Sequence, residues 1–298
     1  MKVNLIQHTE QPLRLMYAQT RGTTTSKGFA EVWENPTKFF PKKTRQAVES
    51  LEYEGTYPEY VKAVNDEMIR LVDDALFAGH TSVSRGVSFT FGISCSRSTG
   101  RQMLRHVVGV AWEEMSQRYV KLANKDTLAR LSSVLGSSFG DICDAYSEYF
   151  EIPEHIYSED SAYSRDWFKL RLGEVERYLS EILSGVPAED ARENLPNCTR
   201  TEMICTMSFE ALKTFLAKRL CTRAQEPIRE VAKQMRKQVV GEFPWTGKHL
   251  TVQCLPACIC PESNPMGCPL LAENGGNVLR KEQALDSVRQ TVRELKAK

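Results

Sequence analysis

VSFTFGISC, residues 87–95, alternates between two kinds of side chain. Apolar residues and a cysteine fall on one face, and small polar residues or glycine fall on the other. Successive side chains of a β-strand point to opposite sides, so a period of two indicates a strand with one buried face. The stretch therefore predicts a half-buried strand.

The segment after this strand is rich in arginine. Its pattern predicts a helix over about 97–108, which would carry Arg97, Arg101 and Arg105 on one face because residues four apart are neighbours on a helix. The planar guanidinium, with five donors, suits a phosphate group. Surface charge explains any single arginine, whereas several arginines together indicate an anion site. The full set is Arg97, Arg101, Arg105, Arg118, Arg192, Arg219 and Arg223.

Bulk properties narrow the class of protein. The 298 residues allow one large domain or two, and the 39 basic and 38 acidic side chains argue against a nucleic-acid scaffold held by overall charge. No apolar run has the length of a signal-peptide core or of a membrane span. Nine cysteines without an export signal indicate reduced thiols. We therefore expect a cytoplasmic protein with neither a membrane nor a nucleic-acid partner.

Hydrophobic periodicity and breaker residues predict further elements along the chain. Residues 24–57, rich in Thr, Lys, Pro and Gly, are interpreted as loop with a short helix. The other predictions are strands at 2–7 and 199–208 and helices from Pro12 onward, over 58–80, over 163–185, from a start within 185–194 and over 209–220.

RQMLRH (101–106) and SQRY (116–119) resemble the signature of the flavin-dependent thymidylate synthases. In that family Gln-x-x-Arg-His-Arg on a helix is followed, after seven residues, by Ser-x-Arg-Tyr. The similarity extends over roughly 3–120 and 163–245. It implies a ThyX-like α/β fold with a central, largely antiparallel sheet flanked by helices. A catalytic domain would span 1–245 and a Cys/Pro/Gly-containing tail with a terminal helix 246–298, with 121–162 as a family-variable insertion.

The resemblance also implies an activity. Family members are methyltransferases that use FAD, with methylenetetrahydrofolate as carbon donor and NADPH as reductant, to methylate C5 of dUMP and form dTMP. They are homotetramers, so the expected partners are a small-molecule nucleotide, a folate and further copies of the chain. The family uses no enzyme nucleophile, so Ser116 is a substrate-binding group rather than a catalytic one.

Residues that match the family's contacts form two sets. The nucleotide set is Gln102, Arg105, Ser116, Arg118, Arg192 and Arg219. The flavin set is Thr23, His80, Ser82, His106, Glu114, Ser208 and Thr214.

The chain departs from the family at several positions. Val107 replaces the second arginine of Arg-His-Arg, and eight residues rather than seven precede Ser116. Ser208 and Thr214 stand where family members have asparagine, which predicts weaker flavin binding. Arg85 stands where the family has an acid, and we expect it to compensate for Val107 as the missing cation.

These departures keep two other functions open. One is a diverged relative that alkylates another pyrimidine nucleotide, such as UMP or a cytidine nucleotide. The other is a non-catalytic paralogue that binds nucleotide without flavin.

The tail contains Cys254, Cys258, Cys260 and Cys268 with the spacing C-x3-C-x-C-x7-C. Structural zinc sites favour paired cysteines two to four residues apart, and the C-x-C element fits that pattern poorly. We therefore expect a folded tail without a metal.

Overall fold

A computed structural model describes residues 1–263 and 267–296. The chain has a mixed α/β fold in which helices flank a four-stranded antiparallel sheet of order β1-β2-β4-β3, which confirms the predicted fold class. The four strands are β1 (Lys2–His8), β2 (Ser88–Ser96), β3 (Val110–Glu114) and β4 (Arg200–Ser208).

The α-helices are of very different lengths. In chain order they are α1 (Pro12–Gly22), α2 (Phe29–Glu34), α3 (Lys42–Glu54), α4 (Tyr57–Phe77), α5 (Arg97–Met103), α6 (Lys125–Ser133), α7 (Phe139–Ser147), α8 (Glu154–Tyr157), α9 (Ala162–Leu183), α10 (Ala188–Ala191), α11 (Phe209–Arg219), α12 (Glu226–Glu242), α13 (Cys254–Ala257) and α14 (Lys281–Lys296).

The two inner strands of the sheet carry the predicted period-two pattern. Along β2 the side chains of Phe89, Phe91 and Ile93 are at most 1% exposed, whereas their neighbours are half-buried. In β4, Met203 and Met207 are buried in the same alternating way. Burial of these apolar side chains on one face fixes the register, because a shift by one residue would turn them all outward.

The chain divides into two compact units, and each strand of the sheet has residues in both. Unit 1 comprises residues 1–4, 92–107 and 111–205. Its core is aromatic, with Tyr146, Phe150 and Phe168 buried. The Tyr146 and Phe168 rings meet edge to face at 4.9 Å between centroids, an arrangement that the aromatic quadrupole favours. Residues 121–162, which had no predicted structure, form the helices α6, α7 and α8 of this unit.

Unit 2 comprises residues 5–91, 108–110 and 206–298. Helix α4 begins with a capping box, in which the backbone N–H of Thr56 donates to Glu59 at 2.9 Å, and it packs against α1 and α3. The buried His249 ring contacts Asp73 of this helix at 2.6 Å, which holds the 244–250 segment in place. None of the helices in the described ranges is long and apolar enough to cross a bilayer.

Three elements differ from the sequence predictions. The segment interpreted as loop contains the 13-residue helix α3, where Val48 is the buried residue, so its apolar stripe is too thin to be read from the sequence. Helix α12 and the five-residue strand β3 were not predicted. Strand β3 lies at the edge of the sheet, where a short element has little alternation to reveal it.

The tail beyond residue 245 contains a small cluster of buried residues, against which Leu220 and Cys221 pack. Cys254, Cys260 and Cys268 are buried there with Leu271 and Val278, and burial raises the pKa of the Cys254 thiol to about 11. The thiols thus act as small apolar side chains. Within the described ranges no three His, Cys, Asp or Glu side chains are grouped to hold a metal ion. The division at residue 245 remains a prediction.

The aromatic core of unit 1 provides a test of packing. Leu131 of α6 is fully buried in this core, so Leu131→Ala should destabilise the protein by about 2–5 kcal/mol through lost burial and the cavity that remains. Leu170 of α9 is 63% exposed, and Leu170→Ala should cost less than about 0.5 kcal/mol. Urea unfolding followed by circular dichroism measures both variants, and equal losses would contradict this assignment of the core.

Candidate functional site

The arginine-rich segment is not one continuous helix. Helix α5 is capped at its N-terminus by Ser96, whose Oγ accepts from the backbone N–H of Thr99 at 3.2 Å, and it ends at Met103. The prediction that it reaches residue 108, and so places Arg105 on its face, is wrong. Two β-branched residues, Val107 and Val108, follow, and Gly109 adopts a left-handed φ of +71° that turns the chain into β3.

A polar cleft of about 360 Å³ lies in unit 1 beside this helix. Its polar lining residues are Arg97, Arg101, Gln117, Arg192, Glu193 and Asn197. Three of the arginines singled out from the sequence therefore meet at one place. Of the predicted nucleotide set, the lining includes Arg192.

Glu114 fixes one wall of this cleft. Its Oε1 accepts from Nη1 of Arg97 at 2.7 Å and from Oγ1 of Thr201 at 3.0 Å, so α5, β3 and β4 converge on one carboxylate. The Arg97 and Glu114 side chains are each 19% exposed, so water screens this ion pair only weakly. Glu114, predicted as a flavin contact, thus also positions a cationic side chain of the cleft.

Glu189 of α10 organises two further arginines. Its Oε2 lies 2.6 Å from Nε of Arg118, and its backbone carbonyl accepts from Nε of Arg192 at 2.9 Å. The sequence analysis missed Glu189 as a functional residue. The available signal was its place in the acidic first turn after Pro187, a position that the helix dipole also favours.

The other members of the nucleotide set take different positions. Gln102 is half-buried on α5, and Arg105 is exposed in the turn after it. Oγ of Ser116 is 3.4 Å from the backbone N–H of Arg118, which donates to it. Arg219 lies at the end of α11 in unit 2, where burial lowers the pKa of its guanidinium.

Most of the flavin set lies in unit 2, on three elements. His80 and Ser82 are exposed at the turn that contains residues 81–84, Ser208 is the N-cap of α11 with Thr214 further along it, and Thr23 caps the end of α1. His106 and Glu114 lie in unit 1, where the His106 carbonyl accepts from Nε1 of Trp112 at 2.8 Å.

Glu210 joins two of these elements within unit 2. It accepts from Oγ1 of Thr81 and from Nε of Arg85, both at 2.5 Å, so it ties the 81–84 turn to α11. The Arg85 guanidinium and, after it, the Thr81 hydroxyl lower the pKa of the Glu210 carboxyl. Arg85 was expected to replace the cation lost at Val107, but its charge is met by Glu210. Its coupling to Val107 remains a prediction.

Unpaired polar atoms in unit 2 fit a polar ligand. Oε1 of Gln19 and Nε of Arg21 on α1 are buried without a hydrogen-bond partner in the described residues. A Cβ added at Gly86 would lie 2.4 Å from Nε2 of Gln19, so the turn after Arg85 approaches α1 closely. Gln19 and Arg21 are two residues apart on α1 and so point to different sides of the helix, and Gln19 is the one that lies beside this turn.

Comparison with known proteins gives the family. The model of the thymidylate synthase complementing protein family matches residues 4–245. The flavin-dependent thymidylate synthase of Pyrococcus furiosus is 33% identical over 199 residues, which cover 64% of this chain and 72% of that protein. That of Geobacter sulfurreducens is 28% identical over 274 residues, with coverages of 92% and 96%.

A solved structure supports the fold. ThyX of Helicobacter pylori, in complex with FAD and dUMP, superposes with a TM-score of 0.54 at 16% identity, over 84% of this chain and 100% of that one. The fold is therefore that of a flavin-dependent enzyme of this class. The chain belongs to the thymidylate synthase complementing protein family, the flavin-dependent thymidylate synthases, which confirms the predicted family and its methyltransferase class.

The role assigned to Glu210 predicts a pH-dependent stability. Because its folded-state pKa is lowered, its stabilisation is present above the ordinary glutamate pKa and is lost as pH falls through the lowered value. Glu210→Gln should cost about 1 kcal/mol at neutral pH, since Arg85 is largely exposed, and progressively less in acid. Urea unfolding at several pH values measures this.

Glu148→Gln is the control for that experiment. It removes an exposed ion pair with Arg130 and should change stability by well under 1 kcal/mol. A Glu210→Gln variant as stable as the wild type at every pH would contradict the tie between the turn and α11.

Proposed function

We propose that this chain converts dUMP to dTMP, with bound FAD, methylenetetrahydrofolate as carbon donor and NADPH as reductant. The observation that carries the proposal is the cleft of unit 1, where Arg97, Arg101 and Arg192 meet beside the signature segment. Guanidinium groups bind phosphate oxygens through charge-assisted hydrogen bonds, as a nucleotide monophosphate requires. Family membership supplies the class of reaction.

The residues of the two predicted sets have distinct roles in this reaction. Arg118 and Arg192, both held by Glu189, would bind and orient the phosphate. Ser116, whose Oγ already accepts from a backbone amide, would orient the nucleotide rather than attack it. Gln102, Arg105 and Arg219 complete the proposed nucleotide set.

The flavin would be held by His80, Ser82, Ser208, Thr214 and Thr23, with His106 and Glu114. When bound, the reduced flavin supplies the electrons and the carrier chemistry for one-carbon transfer, and the protein supplies binding and orientation. The unpaired Oε1 of Gln19, whose side chain lies beside Gly86 and the 81–84 turn, supports a polar ligand in unit 2.

Assembly and location are part of the proposal. Val107 and Tyr119 in unit 1 are 68% and 80% exposed, and apolar side chains of this kind are typical of surfaces covered by another subunit. A homotetramer should have four times the chain mass of 33.8 kDa in light scattering. All nine cysteines are free thiols, which supports a reducing compartment such as the cytoplasm.

The deciding experiment tests colour and turnover together. The purified protein should be yellow, quench FAD fluorescence on titration, and form dTMP from dUMP when methylenetetrahydrofolate and NADPH are supplied. Conversion of UMP or a cytidine nucleotide in preference to dUMP would favour the diverged relative. A colourless protein that binds dUMP but leaves FAD fluorescence unchanged would favour the non-catalytic paralogue.

Arg192→Ala tests the proposed nucleotide site. Loss of one charge-assisted partner should weaken dUMP binding about tenfold to a hundredfold, while FAD affinity stays within about twofold. Calorimetric titration of dUMP and fluorescence titration of FAD measure the two affinities. Arg130→Ala is the matched control in the same unit, because Arg130 pairs with Glu148 outside the cleft. Equal dUMP affinity in the wild type and Arg192→Ala would exclude a phosphate contact by Arg192.

A further inference from the structure

Unit 1 contains a second cavity, of about 650 Å³, whose described lining shares only Leu195 with the polar cleft. This volume is within the range of small-molecule sites and is far larger than the voids that close packing leaves in protein interiors. None of the residues proposed for the nucleotide or the flavin is among its described lining residues. The proposed reaction therefore does not account for this cavity.

One wall of the cavity is the outward face of the sheet. Arg200 and Ser94 lie there on the neighbouring strands β4 and β2, and Nη1 of Arg200 donates to Oγ of Ser94 at 3.4 Å. Gly92 is two residues before Ser94 in β2, so it lies on the same face and adds no side chain to the wall. Glycine inside a strand is typical of places where a ligand or another backbone approaches closely. The sheet thus leaves space beside Ser94.

The Arg200 guanidinium is held in place without a balancing charge. Its Nε donates to the backbone carbonyl of Ser147 at 2.5 Å, in addition to the bond from Nη1 to Ser94. Both acceptors are neutral, and Arg200 forms no ion pair with the residues that the structure describes. Its remaining donors and its positive charge therefore stay available for an anion.

The other charged side chains of the lining do not neutralise Arg200. Both carboxylate oxygens of Glu148 accept from Arg130, at 2.5 and 2.6 Å. Lys2 and Glu202 have opposite charges, are exposed to water and form no ion pair within residues 1–263 and 267–296. Water screens such exposed charges strongly, so the half-buried Arg200 is the main charge that a ligand in the cavity would meet.

The rest of the wall is largely apolar and incompletely covered. Its half-buried apolar and aromatic side chains are Met115, Leu122, Tyr149 and Leu195. Removal of apolar surface from water is favourable by roughly 25 cal/mol per Å², so an apolar ligand would gain free energy by covering them. Leu122 and Tyr149 belong to the 121–162 segment, which the sequence analysis predicts to be a family-variable insertion. We therefore expect the cavity to be a feature of this chain.

We propose that this cavity binds a small molecule with an apolar body and a single carboxylate. The carboxylate pairs with Arg200, and the apolar body covers Leu122 and Tyr149. A carboxylate suits a single guanidinium, with which it forms charge-assisted hydrogen bonds, whereas a more highly charged phosphate would need further cations. The inference goes beyond the proposed function, because no residue of the nucleotide or flavin sets takes part.

Decanoate is a suitable probe, with decanol as its uncharged analogue. Calorimetric titration of the full-length protein at saturating FAD and dUMP should show decanoate binding about tenfold more tightly than decanol, because the alcohol lacks the charge-assisted partner. Arg200→Gln should remove this preference: decanoate should bind about tenfold more weakly, and decanol should bind as in the wild type. Unchanged decanol affinity would also show that the apolar wall is intact in the variant.

Two further variants separate the cavity from other surfaces. Gly92→Val narrows the cavity and should weaken the binding of both probes. It should not lower the melting temperature, because φ of Gly92 is not left-handed and a β-branched residue suits a strand. Arg165→Gln is the matched control in unit 1, since Arg165 pairs with Asp160 outside the cavity, and it should leave both affinities unchanged.

Three results would overturn the inference. The first is equal affinity of the wild type for decanoate and decanol, and the second is an unchanged preference for decanoate in Arg200→Gln. The third is displacement of decanoate by dUMP, which would place the probe in the nucleotide cleft instead. Each of these results leaves the proposed function intact, because conversion of dUMP is measured without either probe. A protein that does not convert dUMP would, in turn, leave this inference standing.

Discussion

The Glu114 carboxylate is the contact on which the arrangement of unit 1 depends. It receives Arg97 from α5 and Thr201 from β4, so three elements are fixed by one acceptor. Removing either charged partner would leave the other largely buried without compensation, which is expensive in a poorly hydrated site. Gly100 makes the approach possible, since a Cβ there would lie 3.0 Å from Sδ of Met203. The cleft therefore depends on the Arg97–Glu114 ion pair and on the absence of a side chain at Gly100.

The sequence was sufficient where one physical signal dominated. Strands β2 and β4 and helices α9 and α11 were predicted because a long alternating or helical apolar pattern is buried on one side. The predicted arginine set also located the cleft in part, because Arg97, Arg101 and Arg192 of that set line it. The family resemblance added the class of reaction, which periodicity cannot provide.

The sequence was insufficient where tertiary contacts or local backbone geometry decided the outcome. Helix α5 ends at Met103 and the chain then turns into β3 through Gly109, which has a left-handed φ, so Arg105 leaves the helix face. Glu189 acts through both its side chain and its carbonyl, and a backbone acceptor has no sequence signal. Gln117 is buried, and its Nε2 has no hydrogen-bond partner in the described residues. The sequence of the signature segment does not show whether a side chain is buried.

The tail contains a residue with unusual chemical accessibility. Cys258 has a left-handed φ of +51°, which is sterically unfavourable for a residue with a Cβ, and its thiol is exposed, whereas the other eight cysteines are buried or half-buried. Burial raises the pKa of Cys95 to about 12 and that of Cys254 to about 11, which suppresses their thiolate forms. Because the thiolate is the nucleophile in alkylation, a limiting amount of a maleimide dye should attach first at Cys258. The protein thus carries a natural position for a single fluorescent reporter on its tail, without any engineered cysteine.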